Sequence, residues 1–174
     1  MKKISLLIFL VYSTAALSQK IENDSLISVT SPGGFSQINE SLFPGAIVYS
    51  NSGGSQVFVQ HKGIKMWCDY AAFYQTDNFI RTFGNVKMNQ GDSIRMSSKY
   101  AEYNGKSQFA FASGNVDMKN PGTTLKTDTL FFDRAKQQAY YRSGGSVTDT
   151  ASTLKSRTGR YFIAVKRYQF LDDV

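Results

Sequence analysis

The sequence has one cysteine, one histidine and one tryptophan among 174 residues. A single cysteine, Cys68, excludes an internal disulfide, so stability must come from packing and hydrogen bonds. We interpret Cys68 as a small buried apolar side chain. A catalytic thiol would need a base, and only His61 is available. Since His61, Cys68 and Asp69 lack the paired spacing of a zinc site, we expect no metal and no cofactor.

Long apolar runs are absent except for one, from Ile4 to Leu17, which follows the positively charged start Met1-Lys2-Lys3. This run of about 14 residues is shorter than the roughly 20 that cross a bilayer, and it ends in small residues. The pattern is typical of a secretory signal peptide, residues 1–18, cleaved near Ser18. An uncleaved membrane anchor is the alternative. We therefore expect an exported protein.

The sequence also lacks any concentration of one charge. It contains 20 Lys and Arg against 13 Asp and Glu, a formal net charge of +7, and this falls by two when the signal peptide is removed. The basic residues are scattered singly, whereas proteins that follow a nucleic-acid backbone gather them into a stripe or run. We expect no nucleic-acid partner, although the charge allows an anionic one.

An internal repeat of about 30 residues is the main feature that is present. An ungapped shift of 30 residues aligns Gly84-Asn85-Val86-Lys87-Met88 with Gly114-Asn115-Val116-Asp117-Met118. The same shift pairs Ile64 with Ile94 and Met66 with Met96. A third unit follows at an offset near 31, and a fourth begins at Leu154.

Within each unit the apolar residues alternate with polar ones, which predicts β-strands with one face toward a core. Turn-forming residues between the strands predict antiparallel hairpins. We interpret the recurrent glycines at positions 84, 114 and 145 as corners where each strand folds over to the opposite wall of the sheet. A helix over residues 69–75 fits less well than a strand, since that stretch is rich in aromatic residues. The predicted fold class is all-β.

The pattern divides the chain into three parts. Residues 1–18 are the signal peptide, residues 19–44 are a flexible lead-in with few large apolar residues, and residues 45–174 form one β domain. The fourth repeat stops in mid-unit at Val174. We therefore expect a domain truncated at its C-terminus: a fragment, a short paralogue or a truncated gene product.

Large apolar side chains at the repeat positions are the candidates for facing the inside of this folded sheet. They are Ile64, Met66, Tyr70, Phe79, Val86, Ile94, Met96, Tyr100, Phe109, Phe111, Val116, Leu125, Tyr140 and Val147. Small β-structures fill their interiors with side chains. These residues therefore form either a packed core or the lining of an apolar groove.

From Phe43 to Val174 the sequence resembles the OstA-like branch of the LptA/OstA family found in Bacteroidetes. The resemblance is carried by short motifs in a specific order: Val57-Phe58-Val59-Gln60-His61-Lys62-Gly63, Met66-Trp67-Cys68-Asp69-Tyr70-Ala71, Phe83-Gly84-Asn85-Val86, Gln90-Gly91-Asp92-Ser93, Leu125-Lys126-Thr127-Asp128, Phe132-Asp133, Ala139-Tyr140-Tyr141 and Leu154-Lys155-Ser156-Arg157-Thr158-Gly159-Arg160-Tyr161.

The resemblance implies a folded-over antiparallel β-jellyroll, or β-taco, that carries lipopolysaccharide through the periplasm to the outer membrane. The candidate residues above would then hold the lipid A acyl chains in an apolar groove. Other transport components, or a second copy of the chain, would join by edge-strand addition. Association with the outer membrane would follow from the same role.

Two other functions remain open from the residues themselves. One is a structural or adhesive repeat protein of the cell envelope without lipid cargo. The other is an enzyme acting on polysaccharides, which would need a pair of carboxylates such as Asp69, Asp92, Glu102, Asp117 or Asp128. No two of these acids recur in a close arrangement, so we expect no enzymatic activity.

Overall fold

The computed structural model describes residues 26–32, 34–51 and 54–174. The predicted signal peptide, residues 1–18, lies outside these ranges, and so do residues 19–25 of the predicted lead-in. Within the described ranges, no helix has the length and apolar character needed to cross a membrane.

The described residues form one antiparallel sheet of fifteen strands and contain no helix, which confirms the predicted all-β fold. The strands are β1 Ser28–Thr30, β2 Phe35–Ile38, β3 Ile47–Ser50, β4 Val57–His61, β5 Ile64–Cys68, β6 Tyr70–Tyr74, β7 Phe79–Gln90, β8 Ile94–Asn104, β9 Phe109–Asn120, β10 Thr123–Asp133, β11 Gln138–Tyr141, β12 Gly145–Thr148, β13 Thr153–Ser156, β14 Thr158–Phe162 and β15 Arg167–Leu171.

The neighbours in the sheet follow the order β1-β4-β5-β7-β8-β9-β10-β11-β14-β15. Short turns join the hairpins, as the turn-forming residues predicted, and the stretch considered as a helix forms β6. Turns at residues 75–78, 105–108, 134–137 and 163–166 connect the strands at one of their ends. The turns at 91–93 and 121–122 connect them at the opposite ends.

The central strands β7 and β9 each bend near the middle at a glycine. Gly84 and Gly114 have φ values of 71° and 79°, and the asparagines that follow, Asn85 and Asn115, have φ values of 43° and 55°. Left-handed backbone is accessible to glycine and tolerated by asparagine. In the third unit the residue with positive φ is Gly144, at 83°, one position before the predicted Gly145.

At these bends the ladder between neighbouring strands changes register. The pairing of β7 with β8 shifts between Phe83 and Val86, and that of β8 with β9 shifts between Ser97 and Tyr100. Such β-bulges bend a strand sharply. The bends therefore form the predicted corners of a folded-over sheet.

The corners divide the sheet into two walls that face each other. The first wall contains β1, β4, β5, β12 and β13 with the halves of β7 to β10 that lead to the turns at 91–93 and 121–122. The second wall contains β3, β6, β11, β14 and β15 with the other halves of β7 to β10. Buried side chains from both walls form a single apolar cluster between them.

Two strands form within the stretch predicted as a flexible lead-in. β1 pairs with β4, and β2 pairs with β3. The ring of Phe43, in the segment between β2 and β3, contacts Tyr70 and Phe83 on the outer face of the second wall, with both ring-centroid distances at 5.7 Å. Part of the lead-in thus belongs to the folded sheet.

Candidate functional site

The space between the two walls is lined predominantly by apolar side chains. This cluster extends from Ile27 to Tyr161, and each of its fully buried members is 6% exposed or less. Tyr103, Phe132, Tyr141 and Tyr161 are the largest of them. The interior is therefore filled by the protein's own side chains, and burial of their apolar surface holds the walls together.

One group of the predicted groove residues lies in this interior, and all of its members belong to the first wall. They are Ile64, Met66, Val86, Ile94, Met96, Val116, Leu125 and Val147. Their alternation with exposed residues, such as Lys65 and Arg95, follows the period of two seen in the sequence. Whether they contact a lipid stays a prediction.

On the second wall the predicted inward positions are wrong. Tyr70, Phe79, Tyr100, Phe109, Phe111 and Tyr140 are half-buried on the outer face of this wall. Their neighbours Ala71, Ile80, Ala101 and Ala112 face the interior instead. In these strands small or aliphatic side chains occupy the inward positions, and the large rings pack across strands on the outside.

The burial pattern along the chain shows where the inward face changes. Inward residues follow one another at a spacing of two along β5 and the first half of β8, but the step across the corner is three, from Cys68 to Ala71 and from Ser98 to Ala101. A step of three reverses the parity of the inward face. Residues missed for this reason include Tyr103, which is 1% exposed.

The groove between the walls opens on the side away from the corners. A cavity of about 450 Å³, here called the mouth pocket, lies where the turns of the two walls face each other. From the first wall it is lined by Gly63, Gln90, Gly91, Ser93, Ile94, Asn120 and Pro121, and from the second wall by Arg134, Tyr161, Ile163 and Lys166.

Hydrogen bonds between described residues join the walls on this open side. The backbone N–H of Ile27 donates to Asn78 Oδ1 at 2.8 Å, and Nδ1 of His61 lies 2.8 Å from the Tyr103 hydroxyl. Asn120 Nδ2 donates to the hydroxyl of Tyr161. In each pair the first wall supplies one partner and the second wall the other. These non-covalent bonds hold the two walls together on the open side.

The mouth pocket carries positive charge. Arg134 donates from Nη1 to Gln108 Oε1 at 2.8 Å, and Lys166 lies in the turn before β15. Within the described residues neither cation forms a salt bridge with a carboxylate. An apolar pocket with two such cations at its rim attracts amphiphilic anions.

The thiol is buried, and the carboxylates Asp69 and Glu102 have local partners. Burial raises the pKa of the Cys68 thiol to about 12, which keeps it neutral and unreactive. Asp69 accepts hydrogen bonds from Gln56 and Asn85. Glu102 pairs with Arg81. In the part of the chain that the structure describes, no three His, Cys, Asp or Glu side chains are grouped to hold a metal ion.

The profile of the OstA-like protein family matches residues 46–174. No curated protein matches the chain. Among solved structures it is similar to LptH from Pseudomonas aeruginosa, described as the LptA homologous periplasmic component of the lipopolysaccharide transport device. The sequence identity is 14%, the TM-score is 0.50, and the match covers 62% of this chain and 75% of LptH. This likeness confirms the predicted β-jellyroll fold.

Proposed function

The chain belongs to the OstA-like protein family, and from this premise we propose that it is a non-enzymatic periplasmic carrier or bridge for lipopolysaccharide. In this role the acyl chains of lipid A lie between the two walls during transport to the outer membrane. The role of LptH, whose fold the chain shares, supports this proposal.

The observation that carries the proposal is the combination of an apolar interior with a mouth pocket rimmed by cations. Ile94, Tyr161 and Ile163 give the mouth pocket an apolar lining, and Arg134 and Lys166 provide charge beside it. Lipid A has the matching chemistry, since its acyl chains need an apolar surface and its phosphates bind cations.

Because the interior is filled, acyl chains enter only if the walls move apart. The three hydrogen bonds at the mouth contribute about 1 kcal/mol each, or roughly 3 kcal/mol together. Each buried methylene group contributes about 0.8 kcal/mol, so about four methylenes offset the three bonds. An acyl chain that enters the interior breaks apolar contacts between side chains and forms apolar contacts of its own in their place. Because such contacts have no preferred direction, a lipid can slide along the groove.

We further propose that transport partners join at the edges of the sheet. Among the described strands, β1 and β2 at one end and β13 and β15 at the other each pair on one side only. An unpaired strand edge can accept a strand from another transport component or from a second copy of this chain.

A photo-crosslinking experiment tests the lipid site. p-Benzoylphenylalanine replaces Ile94, which is 3% exposed and lines the mouth pocket, and in a matched control it replaces the adjacent Arg95, which faces solvent. After irradiation with lipopolysaccharide, we expect an adduct at position 94 and none at 95. Absence of an adduct at 94, or equal adducts at both positions, would refute the proposal.

The packed interior also favours a second candidate, a structural or adhesive repeat protein of the cell envelope. In that case the buried side chains are a permanent core, and the walls never separate. This candidate predicts no lipid uptake in the same crosslinking experiment while the protein remains folded.

A further inference from the structure

The outer face of the second wall carries a row of aromatic rings on neighbouring strands. Successive ring centroids lie 5.0 to 6.4 Å apart from Phe83 through Tyr100, Phe111 and Phe131 to Tyr140. One end of the row is covered by Phe43. The other end, toward β14 and β15, is interleaved with arginines.

We name this second end the arginine–aromatic cluster: Phe131, Tyr140, Arg142, Arg160, Phe162 and Arg167. Arg142 lies over the ring of Tyr140 at 5.2 Å, and Arg160 lies 5.9 Å from the same ring. Arg160 and Arg167 both lie over Phe162, at 6.0 and 5.9 Å.

Cation–π contacts hold the three guanidinium groups in place and leave their N–H edges available. Arg142, Arg160 and Arg167 are all exposed, and no carboxylate among the described residues forms a salt bridge with any of them. The cluster is therefore a preorganised and uncompensated positive site.

An arginine on the same face of the sheet provides an internal comparison. Arg81 lies 5.6 Å from the rings of Tyr74 and Phe79, but its Nε is 3.3 Å from Glu102 Oε1. Glu102 also accepts a hydrogen bond from the Tyr100 hydroxyl. Glu102 therefore neutralises the charge of Arg81, whereas no described carboxylate neutralises the arginines of the cluster.

From this contrast we propose that the arginine–aromatic cluster is a second binding site, on the outside of the groove, for the phosphorylated saccharide portion of lipopolysaccharide. Arginine pairs with phosphate through two parallel hydrogen bonds, and the neighbouring rings offer apolar surface to the carbon-bound hydrogens of sugar rings. That the bound phosphate is attached to a saccharide rests on the proposed function.

The cluster is less suited to the surface of a lipid bilayer. Its three rings are half-buried, and the exposed apolar side chains of the same hairpin, Val165 in the turn and Leu171 opposite Thr158, lie outside the cluster. Insertion into a bilayer interface requires projecting apolar side chains beside the cations. A saccharide ligand needs only surface contact.

The test is calorimetric titration of the full chain with lipopolysaccharide oligosaccharide that has been deacylated and keeps its phosphates. Binding is expected, and replacing Arg142→Gln and Arg160→Gln together should weaken it by about tenfold or more. The matched control Arg95→Gln, an exposed arginine on the first wall, should leave the affinity within about twofold of the native value. Removing the phosphates from the oligosaccharide should abolish binding.

Three results would overturn the inference: no binding of the deacylated oligosaccharide, equal weakening by all the arginine variants, or preferential binding to vesicles of phosphatidylcholine and phosphatidylglycerol. Since the deacylated probe has no acyl chains, its failure would leave the crosslink at Ile94 standing. Conversely, loss of that crosslink with retained oligosaccharide binding would overturn only the carrier proposal.

Discussion

If glycine at the corner creates the groove, replacing Gly114 with alanine should be unusually costly. Gly114 has a φ of 79°, and a Cβ atom there would lie 2.9 Å from Lys99 Cβ. Left-handed backbone costs an L-residue about 1 to 2 kcal/mol, and the steric overlap adds about 1 to 3 kcal/mol. We expect Gly114→Ala to lower the free energy of unfolding by about 2 to 5 kcal/mol in total.

Gly122→Ala is the matched control, because Gly122 has a nearly identical φ of 80° but no heavy atom within 4 Å of the added Cβ. It should lose only the backbone contribution, about 1 to 2 kcal/mol. Both substitutions change the entropy of the unfolded chain in the same way. That contribution therefore cancels in the comparison.

Equilibrium unfolding in urea, followed by the fluorescence of Trp67, measures both free energies. An unchanged dependence on urea would show that the variants unfold from the same compact state. If Gly114→Ala cost no more than Gly122→Ala, close packing at the corner would not be what requires glycine, and our explanation of the fold would be wrong.

Three more predictions use the same urea assay. Gly159→Ala places a Cβ 2.4 Å from ring atoms of the buried Tyr141 and should cost about 1 to 3 kcal/mol; no loss would show that this ring is free to shift. Burial raises the pKa of the Cys68 thiol to about 12, against 9.0 in the unfolded chain. The contribution of this shift to the free energy of unfolding is fully present below pH 9 and is lost as the pH rises toward 12. Between those values stability should fall more steeply, by up to about 1.4 kcal/mol per pH unit, than in Cys68→Ala; parallel curves would contradict this. Tyr103→Phe removes the hydroxyl that bonds to His61 across the mouth and should cost about 1 kcal/mol; an unchanged stability would show that this bond does not fasten the walls.

The sequence was sufficient to predict the strands, the hairpins and the corners, because each depends on local chemistry. Alternation of apolar residues determines which residues of β5 face inward, and turn-forming residues determine where hairpins reverse. Gly84 and Gly114 identify the corners, since left-handed backbone favours glycine.

The inward residues of the second wall were mispredicted because they depend on the distance between the walls. A large ring such as Phe111 looks like a better core residue than its neighbour Ala112, and burial energy alone favours the ring. In the folded sheet, however, Ala112 faces inward with 2% exposure, and Phe111 packs outside against Tyr100 and Phe131. A period of two continued across the corner also ignores the β-bulge on β8, where the inward face reverses between Ser98 and Ala101.

The mouth pocket and the arginine–aromatic cluster could not be predicted either. Both bring together residues from separate repeats, such as Ser93 with Lys166 in the mouth pocket and Arg142 with Arg160 in the cluster. Their proximity depends on strand register and on the angle between the walls, which short motifs do not specify.

The central claim is that the packed walls separate to hold acyl chains, and a distance measured across the mouth tests it most directly. Ser93 and Lys166 line the mouth pocket from opposite walls and are both exposed. Spin labels on Ser93→Cys and Lys166→Cys, in a Cys68→Ala background, report their separation by double electron–electron resonance. We predict a longer distance with intact lipopolysaccharide and no change with the deacylated oligosaccharide. An unchanged distance with bound lipopolysaccharide would contradict the account.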